Sequence, residues 1–200
     1  MEKKDLKPAG VFKYFEEICQ VPRPSKKEEK MIAYLKTFGA KHNLETKVDE
    51  AGNVLIKKPA TPGKENLQTV VLQSHIDMVC EKNNDVQHDF LTDPIETEID
   101  GEWLKAKGTT LGADNGIGVA TELAILADDS IEHGPLECLF TVDENSEVIW
   151  VDIAEALARE DVPGLSKSLI RAAMDSDSGL SQAEYISRES DKPYSLFTAI

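Results

Sequence analysis

The chain lacks any apolar run of the roughly 20 residues that crossing a bilayer requires. Its first residues, Met1-Glu2-Lys3-Lys4-Asp5, also lack the apolar core of a secretory signal. No membrane partner is expected, and the reading is a cytoplasmic protein. Positive charge is scarce: 22 Lys and Arg stand against 37 Asp and Glu, for a formal net charge of −15. Such a field repels nucleic acid and anionic lipid, so neither is expected as a partner, and it mildly favours cations. The cysteines, Cys19, Cys80 and Cys138, are odd in number and show no C-x-x-C spacing. That indicates neither a disulfide framework nor a cysteine zinc site, and the thiols are read as buried and reduced. Internal repeats and low-complexity tracts are absent as well. What is present is 200 residues, 40% hydrophobic and 30% charged, enough to close a core in a globular domain.

Val11, Phe12, Phe15, Ile18 and Cys19 recur at helical spacing and stop at Val21-Pro22-Arg23-Pro24, where two prolines end a helix. Ser25 stands three residues before Glu28, the spacing of a capping box. Met31, Ile32, Leu35 and Phe38 then predict a second helix ended by Gly39. The period shortens to two over Leu44–Lys57, which predicts a hairpin turned at Asp49–Asn53. The segment 57–64 reads as a surface loop whose lysines are solvated. Thr69–Gln73 is a β-branched strand that delivers Ser74-His75-Ile76-Asp77. A long polar segment follows over 78–90, then a short hairpin around Asp100-Gly101, a helix over Asn115–Ala127 and a buried strand over Leu136–Thr141. Short helices are expected over 153–158 and 165–174, and the last residues, 175–200, show little periodicity.

Three strand ends therefore present His75 with Asp77, then Asp114, then Asp143-Glu144. An imidazole with two or three carboxylates is a donor set that Zn²⁺ or Mn²⁺ accepts. A carboxylate two residues from a ligand histidine can accept the other ring N–H and fix the tautomer, which makes Asp77 an orienting partner and His75 the ligand. Asp114, in Leu111-Gly112-Ala113-Asp114-Asn115-Gly116, could use both oxygens to bridge two metal ions about 3.5–4 Å apart, with Glu144 as the base that takes a water's proton. Each residue alone has a plainer role: a packed histidine, a helix N-cap at Asp114, a strand-exit turn at Asp143-Glu144. Their joint occurrence at successive strand ends favours the metal. His42 and His133 have no such company, and His88, in the polar segment, is read as solvated.

The stretches Ser74–Asn83, Gly108–Ala120 and His133–Glu144 resemble the bacterial aminoacyl-histidine dipeptidases, or cytosolic non-specific dipeptidases, of the co-catalytic zinc peptidase group. The resemblance covers about Leu6 to Glu144. It implies an α/β fold in which a mixed sheet is flanked by helices, the first half of a zinc-peptidase catalytic domain; beyond it, the residues themselves read as a helical or partly ordered tail. It also implies two zinc ions, replaceable by Mn²⁺ or Co²⁺, with His75 and Asp114 as ligands, Asp77 orienting and Glu144 as general base. The implied substrates are dipeptides of the Xaa-His type, carnosine among them, and a homodimer is an open option. The pattern departs at Asn145, where a second glutamate and a Gly-rich stretch are expected. Family members are also more than twice as long, with an inserted lid and dimerisation domain and a distant histidine ligand. The expected organisation is a partial catalytic domain over 1–145 and an unrelated tail over 146–200, with weak or absent hydrolysis. Asp143 or Asp175 could substitute for a missing ligand. The alternatives are a non-catalytic remnant or binding module with an incomplete metal site, and another peptidase or deacylase of the same clan.

Overall fold

The structure is a computed structural model that describes residues 3–142 together with 180–186 and 193–199. The chain divides into two compact units, 1–146 and 147–200.

In the first unit, α1 (Ala9–Cys19) buries Phe15, Ile18 and Cys19 of the expected stripe, adds Tyr14 to it, and leaves Val11 and Phe12 half-buried. Helix α2 (Glu29–Lys41) buries Met31, Leu35, Phe38 and Gly39. It continues past Gly39 rather than ending there. That glycine lies on the packed face, where a Cβ would collide with the Thr46 side chain, so it serves close approach and not termination. The capping box does not form either: Glu28 is the N-cap and no side chain caps the helix.

Strands β1 (Glu45–Val48) and β2 (Val54–Lys58) form the predicted hairpin, and Asp49 Oδ1 accepts from the amides of Ala51, Gly52 and Asn53 in its turn. The next strand, β3 (Val70–His75), has to wait for its partner. A two-stranded hairpin, β4 (Thr97–Asp100) with β5 (Trp103–Ala106), and helix α3 (Ala113–Ala127) intervene before β6 (Leu136–Thr141). The sheet order is β1-β2-β6-β3, antiparallel except for the parallel β6–β3 pair. A parallel pair needs such a long crossover, and the helix supplies it.

The core forms where the helices cover the face that Val54, Ile56, Cys138 and Phe140 share by register. Phe15, Ile18, Leu35, Val119 and Leu123 fill it. Among the described residues β3 is one edge of the sheet, so Val70 and Val71 are exposed despite their apolar character and only its last residues, Ser74 and His75, are buried. Lys58 departs from the expectation of a solvated loop. It closes β2 at 8% exposure and donates through Nζ to the carbonyls of Ile125 (3.3 Å) and Asp128 (2.8 Å) at the α3 C-terminus, where a cation is favoured. In the second unit β7 (Leu180–Ile186) pairs antiparallel with β8 (Pro193–Ala199), inside the segment whose sequence shows little periodicity. The helices expected over 153–158 and 165–174 lie outside the described residues.

Candidate functional site

His75 is the last residue of β3, opposite Thr141 on β6, and the Ile76 amide extends the pairing by donating to Thr141 O at 2.9 Å. Ile76 is fully buried, which anchors the backbone between the two side chains of interest. The chain then leaves the sheet, and the Asp77 carboxylate turns back to accept from His75 Nδ1, with Oδ1 at 2.9 Å. Asp77 is 2% exposed and His75 9%.

Asp114 reaches the same place from α3. Gly112 precedes the helix in the left-handed region (φ 67°), and Asp114 and Asn115 have non-helical backbone angles within the first turn, with the peptide between them cis. Asp114 is therefore no N-cap: Gly112 holds that position without a side-chain hydrogen bond. The Asp114 side chain is 86% exposed and its Oδ1 lies 3.2 Å from His75 Nε2.

With Nδ1–H donating to Asp77, Nε2 and Asp114 Oδ1 face each other as two acceptors, an arrangement that a shared proton or a cation satisfies. Two donors bound to one tetrahedral zinc at ordinary N and O distances lie about 3.3 Å apart, close to the spacing seen. The residues present thus fit two ligands of a divalent ion, at one side of a cavity of about 310 Å³ that Met78, Val79 and Leu111 also line. Among the described residues no group of three His, Cys, Asp or Glu side chains is placed to hold a metal. Glu144, Asp143, Asn145 and Asp175 lie outside the described residues.

Two participants are invisible to motif reading. Ser25, expected to cap α2, donates its hydroxyl to Asp77 Oδ2 at 2.6 Å. Arg23, between the two prolines, is 2% exposed. Its guanidinium reaches the Ile76 and Asp77 carbonyls and, on the other side, that of Gly112. Burial pushes the Arg23 pKa down, opposed by the negative charge of nearby groups that include Asp77. The one signal for either residue was polarity in a short linker flanked by proline.

The other titratable groups stay apart. His42 stacks on Phe38 with ring centres 4.4 Å apart, His88 packs edge-on against Phe90, and His133 Nδ1 bonds the Gly134 carbonyl. Burial raises all three thiols, Cys19 to about 12, so at neutral pH they are protonated and poor ligands. Glu122, 4% exposed beneath Ser74 and Cys138, is raised to about 7 by burial, and its Oε2 has no hydrogen-bond partner.

No protein-family model matches the chain. It is 51% identical over 145 residues to the cytosol non-specific dipeptidase of Escherichia coli (strain K12), a match that covers 72% of this chain and 30% of that protein. The aminoacylhistidine dipeptidase of Vibrio alginolyticus superposes with a TM-score of 0.71 at 54% identity, over 74% of this chain and 30% of the other. The aminopeptidase PepT of Bacillus cereus shares the fold, with a TM-score of 0.57 at 24% identity over 76% and 39% of the two chains. The chain thus spans about 30% of the length of the dipeptidases it matches.

Proposed function

We propose that this chain, similar over about three quarters of its length to aminoacylhistidine dipeptidases, carries part of a metal-dependent dipeptidase centre. In this reading residues 1–145 are a partial catalytic domain, 146–200 an unrelated tail, and the chain is cytoplasmic. The observation that carries the functional reading is the facing pair of acceptors, His75 Nε2 and Asp114 Oδ1, on an imidazole whose other nitrogen is held by Asp77. His75 and Asp114 are the ligands, Asp77 fixes the tautomer, and zinc is the ion, with Mn²⁺ or Co²⁺ as substitutes. When bound, such an ion polarises a carbonyl and makes water a nucleophile at neutral pH. Glu144 is the base. It follows Thr141, the register partner of His75, by three residues, a span of at most about 11 Å of extended chain.

The substrate is a dipeptide, as the E. coli relative's name suggests, and of the Xaa-His type that the Vibrio relative's name suggests. Turnover is weak or absent, because Asn145 stands where the resemblance expects a second glutamate, and a neutral amide is a weaker ligand than a carboxylate. That same substitution favours the second reading, a non-catalytic remnant that binds one metal ion weakly. Zinc titration of the purified chain with Ala-His or carnosine hydrolysis decides between them. Zinc binding that is lost in His75→Ala together with measurable dipeptide turnover supports the partial centre, whereas one weakly held ion, or none, without turnover supports the remnant. Two tightly held ions with turnover near ordinary enzyme rates, about 1–10³ s⁻¹, would overturn the prediction of weak activity. Zinc binding indifferent to His75→Ala would overturn the site itself.

A further inference from the structure

The Arg23 guanidinium is hydrogen-bonded to both backbone segments that carry the candidate ligand side chains. Nη1 donates to the carbonyls of Ile76 (3.2 Å) and Asp77 (3.1 Å), just past His75, and Nη2 donates to that of Gly112 (2.6 Å), two residues before Asp114. The Arg23 backbone is fixed in turn: its carbonyl accepts from the Met78 amide at 3.0 Å, and the Ser25 amide donates to Met78 O at 3.3 Å. Ser25 completes the link through its hydroxyl to Asp77 Oδ2. The second motif also makes room for this guanidinium. A Cβ on Gly112 would lie 2.6 Å from Nη2 and one on Gly116 2.7 Å from it, so both glycines are cut to the shape of Arg23 as well as to their own backbone.

We propose that Arg23 is a positioning residue that sets the separation of His75 and Asp114, and with it affinity for a divalent metal. This rests on the reading of those two residues as ligands. A planar fork with several N–H donors can hold carbonyls on two strands of backbone at once, whereas a lysine ammonium is a single point on a flexible stem. The two proline neighbours keep this short linker extended, which delivers the side chain into the gap between the loops. Nothing in the sequence distance foretells it: 53 residues separate Arg23 from Ile76 and 89 from Gly112.

The test uses the full chain and the variants Arg23→Lys and Arg23→Met, with His75→Ala as control. Zinc affinity is read by competition with a chromophoric chelator. The His75 ring nitrogens are read by ¹⁵N NMR without metal, and integrity of the fold by circular dichroism and the melting temperature. The expected result is zinc affinity about 10–100-fold weaker in both Arg23 variants, the range seen when groups behind a metal ligand are removed. In Arg23→Lys, fold and melting temperature are retained while the His75 ring signals shift or broaden. Wild-type zinc affinity in Arg23→Lys would overturn the proposal, because charge and bulk alone would then suffice. If zinc binding proves indifferent to His75→Ala, the ligand assignment falls and the NMR arm decides for Arg23. Altered His75 ring signals in a folded Arg23→Lys chain support the positioning role, and unchanged signals refute it.

Discussion

The two sides of the candidate site are built in opposite ways. His75 and Asp77 are almost wholly enclosed, and the Asp77 carboxylate accepts from both the imidazole and Ser25. Asp114 is nearly all exposed, on a helix start whose backbone is not yet helical, and the contact described for its side chain is to His75 Nε2. The enclosed side is rigid because its hydrogen bonds are made away from water, where an unmade bond is costly. The exposed side gives its carboxylate freedom to meet a ligand. A prepared imidazole facing an adaptable carboxylate suits metal capture, and it separates what maintains the fold from what serves the ion.

The largest effect that tests this contrast lies under the enclosed side. Phe140, fully buried and in register with Ser74, should cost about 3–5 kcal/mol on replacement by alanine, read by urea denaturation. A loss below about 1 kcal/mol would mean that the sheet end is not the rigid member of the pair.

Glu122 offers a titration of the same region. Its carboxyl stays protonated in the folded chain to about pH 7, against an ordinary value of 4.5. Folding therefore retains the proton, and the stability this contributes is full below about pH 4.5, is lost as pH rises through 7, and amounts to about 3 kcal/mol. Glu122→Gln should remove that loss. Denaturation at pH 5 and pH 8 checks it, and equal pH dependence in both chains would contradict the assignment.

A smaller effect is expected for Asp77→Asn. The amide can present the wrong partner to Nδ1, and zinc affinity should fall about 10–100-fold with the fold retained. Wild-type affinity in a folded variant would remove Asp77 from the site. Smallest of all is the effect of Asp114→Asn on stability, within about 0.5 kcal/mol, as befits an exposed side chain, even though zinc binding weakens. A cooperative loss of several kcal/mol there would erase the contrast between the two sides.

Much of this was legible in the chain. Hydrophobic period gave α1, the β1–β2 and β4–β5 hairpins and β6, because burial of one face acts on neighbours in sequence. His75, Asp77 and Asp114 were marked by residue type at strand and helix ends, and the structure brings them within hydrogen-bonding distance. The failures share a cause. Ser25 read as a cap, Gly39 as a stop and Lys58 as solvated because each was judged by its immediate neighbours. In the structure their partners are Asp77, Thr46, and the carbonyls of Ile125 and Asp128.

By itself, then, the sequence determined the local elements, the mixed α/β character and the identities of the groups that can bind a cation. The tertiary structure alone decided that β3 lies at an edge of the sheet among the described residues, that Asp114 faces His75, and that Arg23 ties the two loops together. Local order follows from spacing along one segment. A site assembled from Arg23, His75 and Asp114 depends on chain closures across dozens of residues, which are favourable only once the core beneath them has packed.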